Sequence, residues 1–352
     1  MKKYDYIIIG QGLAGSVLAY TLMQENQTVM VIDEGAEVSS SKVAAGLCNP
    51  VVFKRLTKSW MIDEVLAQAK TFYKKQEELL ENQFYFDVPL YKLFVDEDEQ
   101  IFWKQKSNEP HLFDWIDDKL EYPFDKRKVN HPFGASKTLQ SGFLKTTSWL
   151  TNFKSYLIEN DSYLKQKFDY TKIKFLTKGV AWKNYQAKKI IFCEGYQSIN
   201  NPYFDWLPFK LTKGEVLTIN FENLELKDTI NKGVFILPYG DNYKLGATYN
   251  WDELDEIPTE DGKDQLLKKA SKFINDGIKV INHKAGVRPT VSDRRPLLGI
   301  HPTHDQLGVF NGLGTKGVML APYFANKLVN LILKNEQLPG EVNINRFIKK
   351  EA

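Results

Sequence analysis

Residues 5–24, DYIIIGQGLAGSVLAYTLMQ, followed by 29–35, VMVIDEG, decide the fold. Tyr6 to Ile9 is a short continuous apolar run, the pattern of a strand covered on both faces of a parallel sheet. It leads straight into Gly10-Gln11-Gly12-Leu13-Ala14-Gly15, and 16–24 reads as a helix. Val29 to Ile32 is a second apolar run, ending in Asp33-Glu34-Gly35. Strand, tight turn, helix and strand in this order predict a right-handed parallel βαβ unit. Each glycine has a reason: Gly10 for the turn out of the strand, Gly12 for backbone approach to a pyrophosphate, Gly15 for close packing of helix on sheet. A phosphate there meets the free N–H groups of Leu13 and Ala14 and the positive end of a helix dipole. Asp33, with Glu34 beside it, falls at the end of the second strand, where a carboxylate accepts hydrogen bonds from ribose hydroxyls. A dinucleotide site follows, without a choice between NAD and FAD.

The rest of the composition narrows the class. The 352 residues are 43% hydrophobic, enough for one large core or two smaller ones, and 47 Lys+Arg against 44 Asp+Glu leave a net charge of +3. A protein built chiefly to coat phosphate is far more basic. Cys48 and Cys193 lie far apart, so neither a disulfide framework nor a four-cysteine metal site is expected, and a cytoplasmic setting is the default. The first twenty residues resemble a signal peptide only superficially, because Asp5 and Gln11 interrupt the apolar run. The best candidate for a membrane span, 317–333, contains Pro322, Asn326, Lys327 and Asn330 and suits a buried helix better. His301 and His304 bracket Pro302 in a loop, and no metal site is expected.

Further helices are expected over 57–81, 148–158, 264–273 and 318–334, and strands over 89–95 and 189–193. Residues 234–238 and 243–249 flank Gly240-Asp241-Asn242, a hairpin signal that predicts an antiparallel sheet apart from the parallel one. Within 165–190, eight lysines face one acid, Asp169; they read as a solvated hairpin, or as a patch for a polyanion.

A resemblance carries the reading further. SSSKVAAGLCNPV, SGFLKTTSWL, IIFCEGYQS, KGEVLTI, ILPYGDNYKLGATYN, AGVRPTVSDRRPLLG and GLGTKGVMLAPYFANKLVNLIL, in this order after the βαβ unit, resemble the D-amino acid oxidase superfamily of FAD-dependent oxidoreductases. Within it, the resemblance is in particular to the branch containing glycine oxidase, sarcosine oxidase and the FAD-dependent half of the bifunctional tRNA wobble-uridine modification enzyme. The resemblance implies an α/β fold, α+β overall, with a Rossmann-like FAD-binding domain (1–83, 140–211 and 283–352) and a substrate domain built on an antiparallel sheet (84–139 and 212–282). It implies non-covalent FAD, with Ser40, Ser41, Ala45 and Gly46 beside the flavin and pyrophosphate and Gly195 near the cofactor. Cys193 and Glu194 depart from the small residues common there. Gly312, Gly314, Thr315, Lys316 and Gly317 match the late loop facing the pyrimidine edge of the ring, with Lys316 either a cation for the reduced flavin or a solvent lysine.

By the same resemblance, Arg288 grips a substrate carboxylate, a task suited to a permanently charged planar fork; a structural ion pair with an acid such as Asp293 is the alternative. Lys244 matches a lysine that lies over the flavin and promotes reaction with oxygen, unless strand parity turns it to solvent, and Tyr239 and Tyr249 line the pocket or merely pack. The implied reaction is oxidation of the C–N bond of an amino acid or N-substituted glycine by hydride transfer to flavin N5, with oxygen or another acceptor reoxidising the cofactor. The runner-up is a stand-alone counterpart of the tRNA-modifying domain, with tRNA as partner. A flavin-binding protein without turnover is the third.

Overall fold

The computed structural model describes residues 1–348. In chain order the elements that position the site are β1 (Tyr6–Ile9), α1 (Leu13–Gln24), β2 (Val29–Asp33), α2 (Ser40–Val43), α3 (Ile62–Leu80), β3 (Leu90–Leu93), β4 (Ala135–Thr138), α4 (Thr146–Glu159), β5 (Tyr163–Lys165) and β6 (Lys189–Phe192). They continue with β7 (Thr212–Phe221), β8 (Thr229–Asn231), β9 (Phe235–Tyr239), β10 (Asn242–Gly246), α5 (Glu260–Ala270), β11 (Ile278–Arg288), β12 (Leu297–Ile300), β13 (Leu307–Asn311) and α6 (Gly317–Lys334).

The first sheet has the order β5-β2-β1-β6-β13-β12, parallel throughout except for β12 at the edge. β1 lies inside it and all four of its side chains are buried, which is why that strand is an uninterrupted apolar run. Alternation along the strands splits the core: Ile8 and Val31 face α1, α3, α4 and α6, while Ile7, Ile9, Met30 and Ile32 face Trp182, Phe192 and Phe204. That second face is covered in part by a three-stranded meander over 173–187, to which Lys2–Lys3 adds a parallel strand. Most of the lysines in 165–190 lie exposed on and around this meander, and Lys188 pairs with Asp5 at 2.7 Å.

The second sheet has the order β11-β7-β10-β9-β8-β3-β4, antiparallel except where β8 meets β3. Leu217, Ile219, Leu245 and Ile236 point to one side, onto Leu266 and Ala270 of α5. The residues between them, Gly214, Val216, Gly286 and Phe235, point to the other side, toward the first sheet.

The hairpin forms where its turn residues place it, with Gly240 at φ +65°. Several expected boundaries shift; the helix expected over 264–273 runs instead over Glu260–Ala270. The helix expected from residue 57 starts at Ile62, because Thr57–Lys58 pairs with Val51–Val52 and Met61 sits in the left-handed region before the first turn. The first helix begins at Leu13, inside the glycine turn, rather than at 16. The strand expected to reach Tyr249 ends at Gly246. Helix Glu97–Ser107, opened by the Asp96 carboxylate accepting from Glu99 N–H at 2.8 Å, has no counterpart among the expected elements.

Close approach at the βαβ turn holds the first layer together. A Cβ on Gly15 would stand 1.9 Å from the carbonyl oxygen of Gly10. A backbone collision of this kind cannot be relieved by a rotamer change, so Gly15→Ala is expected to cost about 3 kcal/mol or more, the upper end for overpacking. Gly233→Ala, where a Cβ meets nothing within 4 Å, is expected to cost only the strain of its positive φ, about 1–2 kcal/mol. Thermal unfolding of the two variants checks the difference; equal midpoints would contradict it.

Candidate active site

A cavity of about 430 Å³ is lined from both sheets. Its wall brings together Gly10, Gly12, Leu13, Ala14, Asp33 and Glu34 of the βαβ unit, Ser40, Ser41, Ala45, Gly46 and Gly195, Tyr249 and Arg288 beside the second sheet, and Gly314, Thr315, Lys316 and Gly317 at the start of α6, which meets α1 closely, since a Cβ on Gly317 would stand 2.8 Å from Leu13 Cδ2. Gly15 and Gly312 are not in this wall: Gly15 packs on Gly10 behind it, and Gly312 packs against Val291 and Leu297.

The βαβ end is organised by backbone donors. Asp33 accepts from Gln11 N–H at 2.8 Å and from Gly35 N–H at 2.7 Å, which pins the carboxylate at the end of β2. Gln11 donates from Nε2 to Ser16 Oγ at 3.1 Å and to the Leu150 carbonyl at 3.0 Å, tying the turn to α1 and α4. Ser41 Oγ accepts from Leu13 N–H at 3.1 Å, so α2 approaches the start of α1 directly. The remaining first-turn N–H groups of α1, orphaned in any helix, open toward the cavity.

Arg288 ends β11 and lies across β7. Its guanidinium donates to the Lys213 carbonyl at 3.1 Å and the Thr248 carbonyl at 3.2 Å, and its Cζ stands 4.6 Å from the centre of the Tyr249 ring. Among the described residues no carboxylate pairs with it. The expected alternative, a bond to Asp293, is overturned: Asp293 accepts from Arg346 Nε at 2.8 Å instead. Burial pulls the Arg288 pKa below its ordinary value, with Tyr249 opposing. Gly214 makes this placement feasible, since a Cβ there would lie 1.9 Å from Nη2.

Lys316 immediately precedes α6 and is not a solvent lysine. Its Nζ donates to Ser59 Oγ, and burial pushes its pKa down to about 8, with Cys48 acting weakly the other way. Gly314 has φ +56° and open space in front of it, with only Thr290 Oγ1 at 3.9 Å; that hydroxyl is buried without a partner. Gly195 has φ +58° and nothing within 4 Å of where its Cβ would be. Two wall glycines that open onto space, an unpartnered hydroxyl near one of them and two helix starts in the wall fit a phosphate-bearing cofactor such as FAD.

The two remaining candidates stand off the wall. Pairing of Lys244 with Thr218, two residues from the Gly246–Val216 pair, puts Lys244 on the cavity side of the sheet, which answers the question of parity. Yet its Nζ donates to Thr218 Oγ1 at 2.8 Å and lies over the Tyr239 ring at 5.2 Å, outside the cavity lining. Tyr239 packs beside Phe143, and burial raises its pKa to about 12. Both cysteines are buried thiols with raised pKa values.

Three wall features had no expected role. Glu194 accepts from Tyr170 Oη at 2.5 Å and Asn201 Nδ2 at 2.8 Å, and burial raises its pKa to about 7. Its departure from a small residue was the only signal in the sequence. Glu256 brings a half-buried carboxyl to the wall, one oxygen of it out of solvent and unpartnered, and Gly214, within KGEVLTI, carries meaning only through Arg288 seventy-odd residues away. No group of three His, Cys, Asp or Glu among the described residues could hold a metal ion, and no helix there is long and apolar enough to cross a membrane.

Residues 5–331 match the family model for FAD dependent oxidoreductase, DAO. Glycine oxidase of Bacillus subtilis is 21% identical over 383 residues, covering 100% of this chain and 99% of that protein. The tRNA 5-methylaminomethyl-2-thiouridine biosynthesis bifunctional protein of Legionella pneumophila is 26% identical over 98% of this chain, but over only 57% of its own length. Among solved structures, glycine oxidase from Geobacillus kaustophilus superposes with a TM-score of 0.81 at 18% identity, covering 96% of each chain. Iminodiacetate oxidase from Chelativorans sp. BNC1 gives 0.80 at 17% identity, covering 96% of this chain and 97% of that one.

Lys316 provides a pH test of the site. Its folded pKa of about 8 lies below the ordinary 10.5, so the folded state releases the proton first as pH rises. The contribution of Lys316 to the stability of the FAD-free chain is therefore flat below pH 8 and rises between about 8 and 10.5. Lys316→Met is expected to lose that rise. Urea unfolding at pH 7 and pH 9.5 checks it, and parallel behaviour of the two proteins would refute the burial of the ammonium.

Proposed function

The chain belongs to the DAO family of FAD-dependent oxidoreductases, and on that footing we propose that it oxidises the C–N bond of an amino acid or N-substituted glycine. One observation carries the substrate class: the Arg288 guanidinium, held in the cavity wall by two carbonyls and an aromatic ring, with no carboxylate of the protein to answer its charge. A buried cation in this state is strongly favoured by an incoming carboxylate, because the bond it forms is charge-assisted and bidentate. Two of its five donors are engaged, leaving the others for substrate.

In this reading Gly10, Gly12, Leu13, Ala14, Asp33 and Glu34 hold the ADP part of FAD, with Gly15 bracing their turn. Ser40, Ser41, Ala45, Gly46 and Gly195 flank its middle, and Gly314, Thr315, Lys316 and Gly317 meet the ring edge. Bound FAD supplies a two-electron acceptor for a hydride leaving the carbon next to nitrogen. The chain supplies alignment: Arg288 fixes the carboxylate, and thereby the adjoining carbon, against one face of the cavity. Lys316, cationic at neutral pH, and the start of α6 would stabilise negative charge gathering on the bound ring. The nitrogen loses no proton to a side-chain base; water then adds to the iminium product, giving a carbonyl compound and ammonium, or the protonated amine from an N-substituted substrate.

We assign 1–83, 140–211 and 283–352 to the cofactor side, of which the last four residues lie outside the described ones, and 84–139 and 212–282 to the substrate side; β11 crosses the division at 283. FAD is held non-covalently, a cytoplasmic setting follows from the cysteine usage, and oxygen or another small acceptor closes the cycle. Lys244 stands one layer back from the cavity, and its part in oxygen reaction would be indirect. A modified tRNA as substrate ranks second: the carboxymethylamine it would offer suits Arg288, but Asp252, Glu253 and Asp255 beside the cavity mouth oppose a polyanion.

Anaerobic bleaching of the flavin by a panel of amino acids and N-substituted glycines tests the reading. Arg288→Gln is expected to keep the flavin spectrum while raising KM for the best carboxylate substrate by about 10- to 100-fold, the worth of a hydrogen-bonded charge. Gly214→Ala, which pushes the guanidinium aside, is expected to move KM in the same direction by less. A panel that leaves the flavin oxidised, or a wild-type KM in Arg288→Gln, would overturn the proposal.

A further inference from the structure

The mouth of the cavity carries a surface that the grip on a carboxylate leaves unexplained. Tyr249, part of the wall, is 55% exposed, and Trp251, two residues on, is 56% exposed. Their rings lie within 25° of parallel, with centres 6.2 Å apart. Large aromatic side chains ordinarily bury most of their area, and here two of them forgo that gain together. Their segment is firmly anchored. Asn250 exchanges two backbone hydrogen bonds with Lys213, at 2.8 and 3.0 Å, and Asp255 accepts from the fully buried Lys213 Nζ at 2.6 Å. Asn250 Oδ1 accepts from the N–H of Asp252 and Glu253, at 2.8 and 3.2 Å, fixing the turn between.

We propose that Tyr249 and Trp251 form a stacking platform for a flat conjugated group, so that the preferred substrate is a small N-substituted glycine whose nitrogen carries such a ring. The inference rests on the carboxylate grip proposed above. With the carboxylate on Arg288, directly against the inner ring, the nitrogen substituent is led outward past Tyr249 to Trp251. A ring enclosed by neither sheet finds two aligned aromatic faces there. The acids beside the platform favour an uncharged or cationic ring over one bearing phosphate.

Binding of carboxylates that lack a C–N bond separates this from turnover. Holoenzyme is titrated with methoxyacetate, phenoxyacetate and cyclohexyloxyacetate, reading both calorimetry and the shift of the flavin spectrum. Wild type is expected to bind phenoxyacetate about tenfold more tightly than its cyclohexyl counterpart, the scale of one stacked ring, and Trp251→Ala to remove most of that preference. Methoxyacetate bound normally with no preference for the flat ring, or a preference that survives Trp251→Ala and Tyr249→Leu, would overturn the platform while leaving the carboxylate grip intact. No binding of any of the three would overturn the grip, and the platform with it.

Discussion

A guanidinium buried in a cavity wall and answered only by carbonyl dipoles is an unfinished interaction, and much of the second sheet is arranged around it. Burying a cation costs several kcal/mol unless it is paired, and two backbone carbonyls with an aromatic face offset only part of that. The arrangement persists because β7 and β11 over-determine it: Arg288 pairs with Thr212 at the end of a long antiparallel register, and Gly214 leaves the space the side chain crosses. The nearest obvious acid along the chain, Asp293, is committed to Arg346 on the far side of a turn. Completion of the charge is left to a molecule that arrives from solution.

The first sheet and its cofactor end were legible in the sequence for a local reason. A βαβ turn is specified by contiguous residues, so the glycine spacing, the buried run at Tyr6–Ile9 and the acid at Asp33 can all be read without knowing what lies elsewhere. The hairpin around Gly240 was legible for the same reason. Boundaries failed where a local pattern was overruled by pairing: the amphipathic run from 57 continues smoothly into the helix, but Thr57–Lys58 finds a partner in Val51–Val52 and the helix waits until Ile62.

The site itself was legible as a set of positions and illegible as a set of relations. Arg288 could be named, but its lack of a partner is visible only once Asp293 is seen to be occupied. Lys316 could be solvated or functional until Ser59, more than two hundred residues upstream, is found at its ammonium. Lys244 and Tyr239 show the reverse: motif position brought them to the right face of the right hairpin, and packing then turned one toward Thr218 and the other toward Phe143. Gly214 was invisible, because a glycine that makes room for a side chain on a neighbouring strand leaves no pattern in its own segment.

On the proposed reading, the charges lining the cavity bear on how an amine would be oxidised without a side-chain base. Asp33, Glu34, Glu194 and Glu256 are its acids, and burial drives Glu194 and Glu256 toward the neutral form. Arg288, Lys316 and Lys42 are its cations. An amino acid would reach Arg288 from water as a zwitterion, yet hydride leaves readily only from carbon next to a neutral nitrogen. In that reading Arg288 and Lys316 would favour the carboxylate and disfavour the ammonium beside it, and so lower the pKa of the bound amine. Arg288 exerts this at every accessible pH, whereas Lys316 fades above about pH 8, where free amines begin to lose their protons unaided. On the proposed reading the proton would be shed to solvent as the substrate binds, with positive potential in place of a catalytic base.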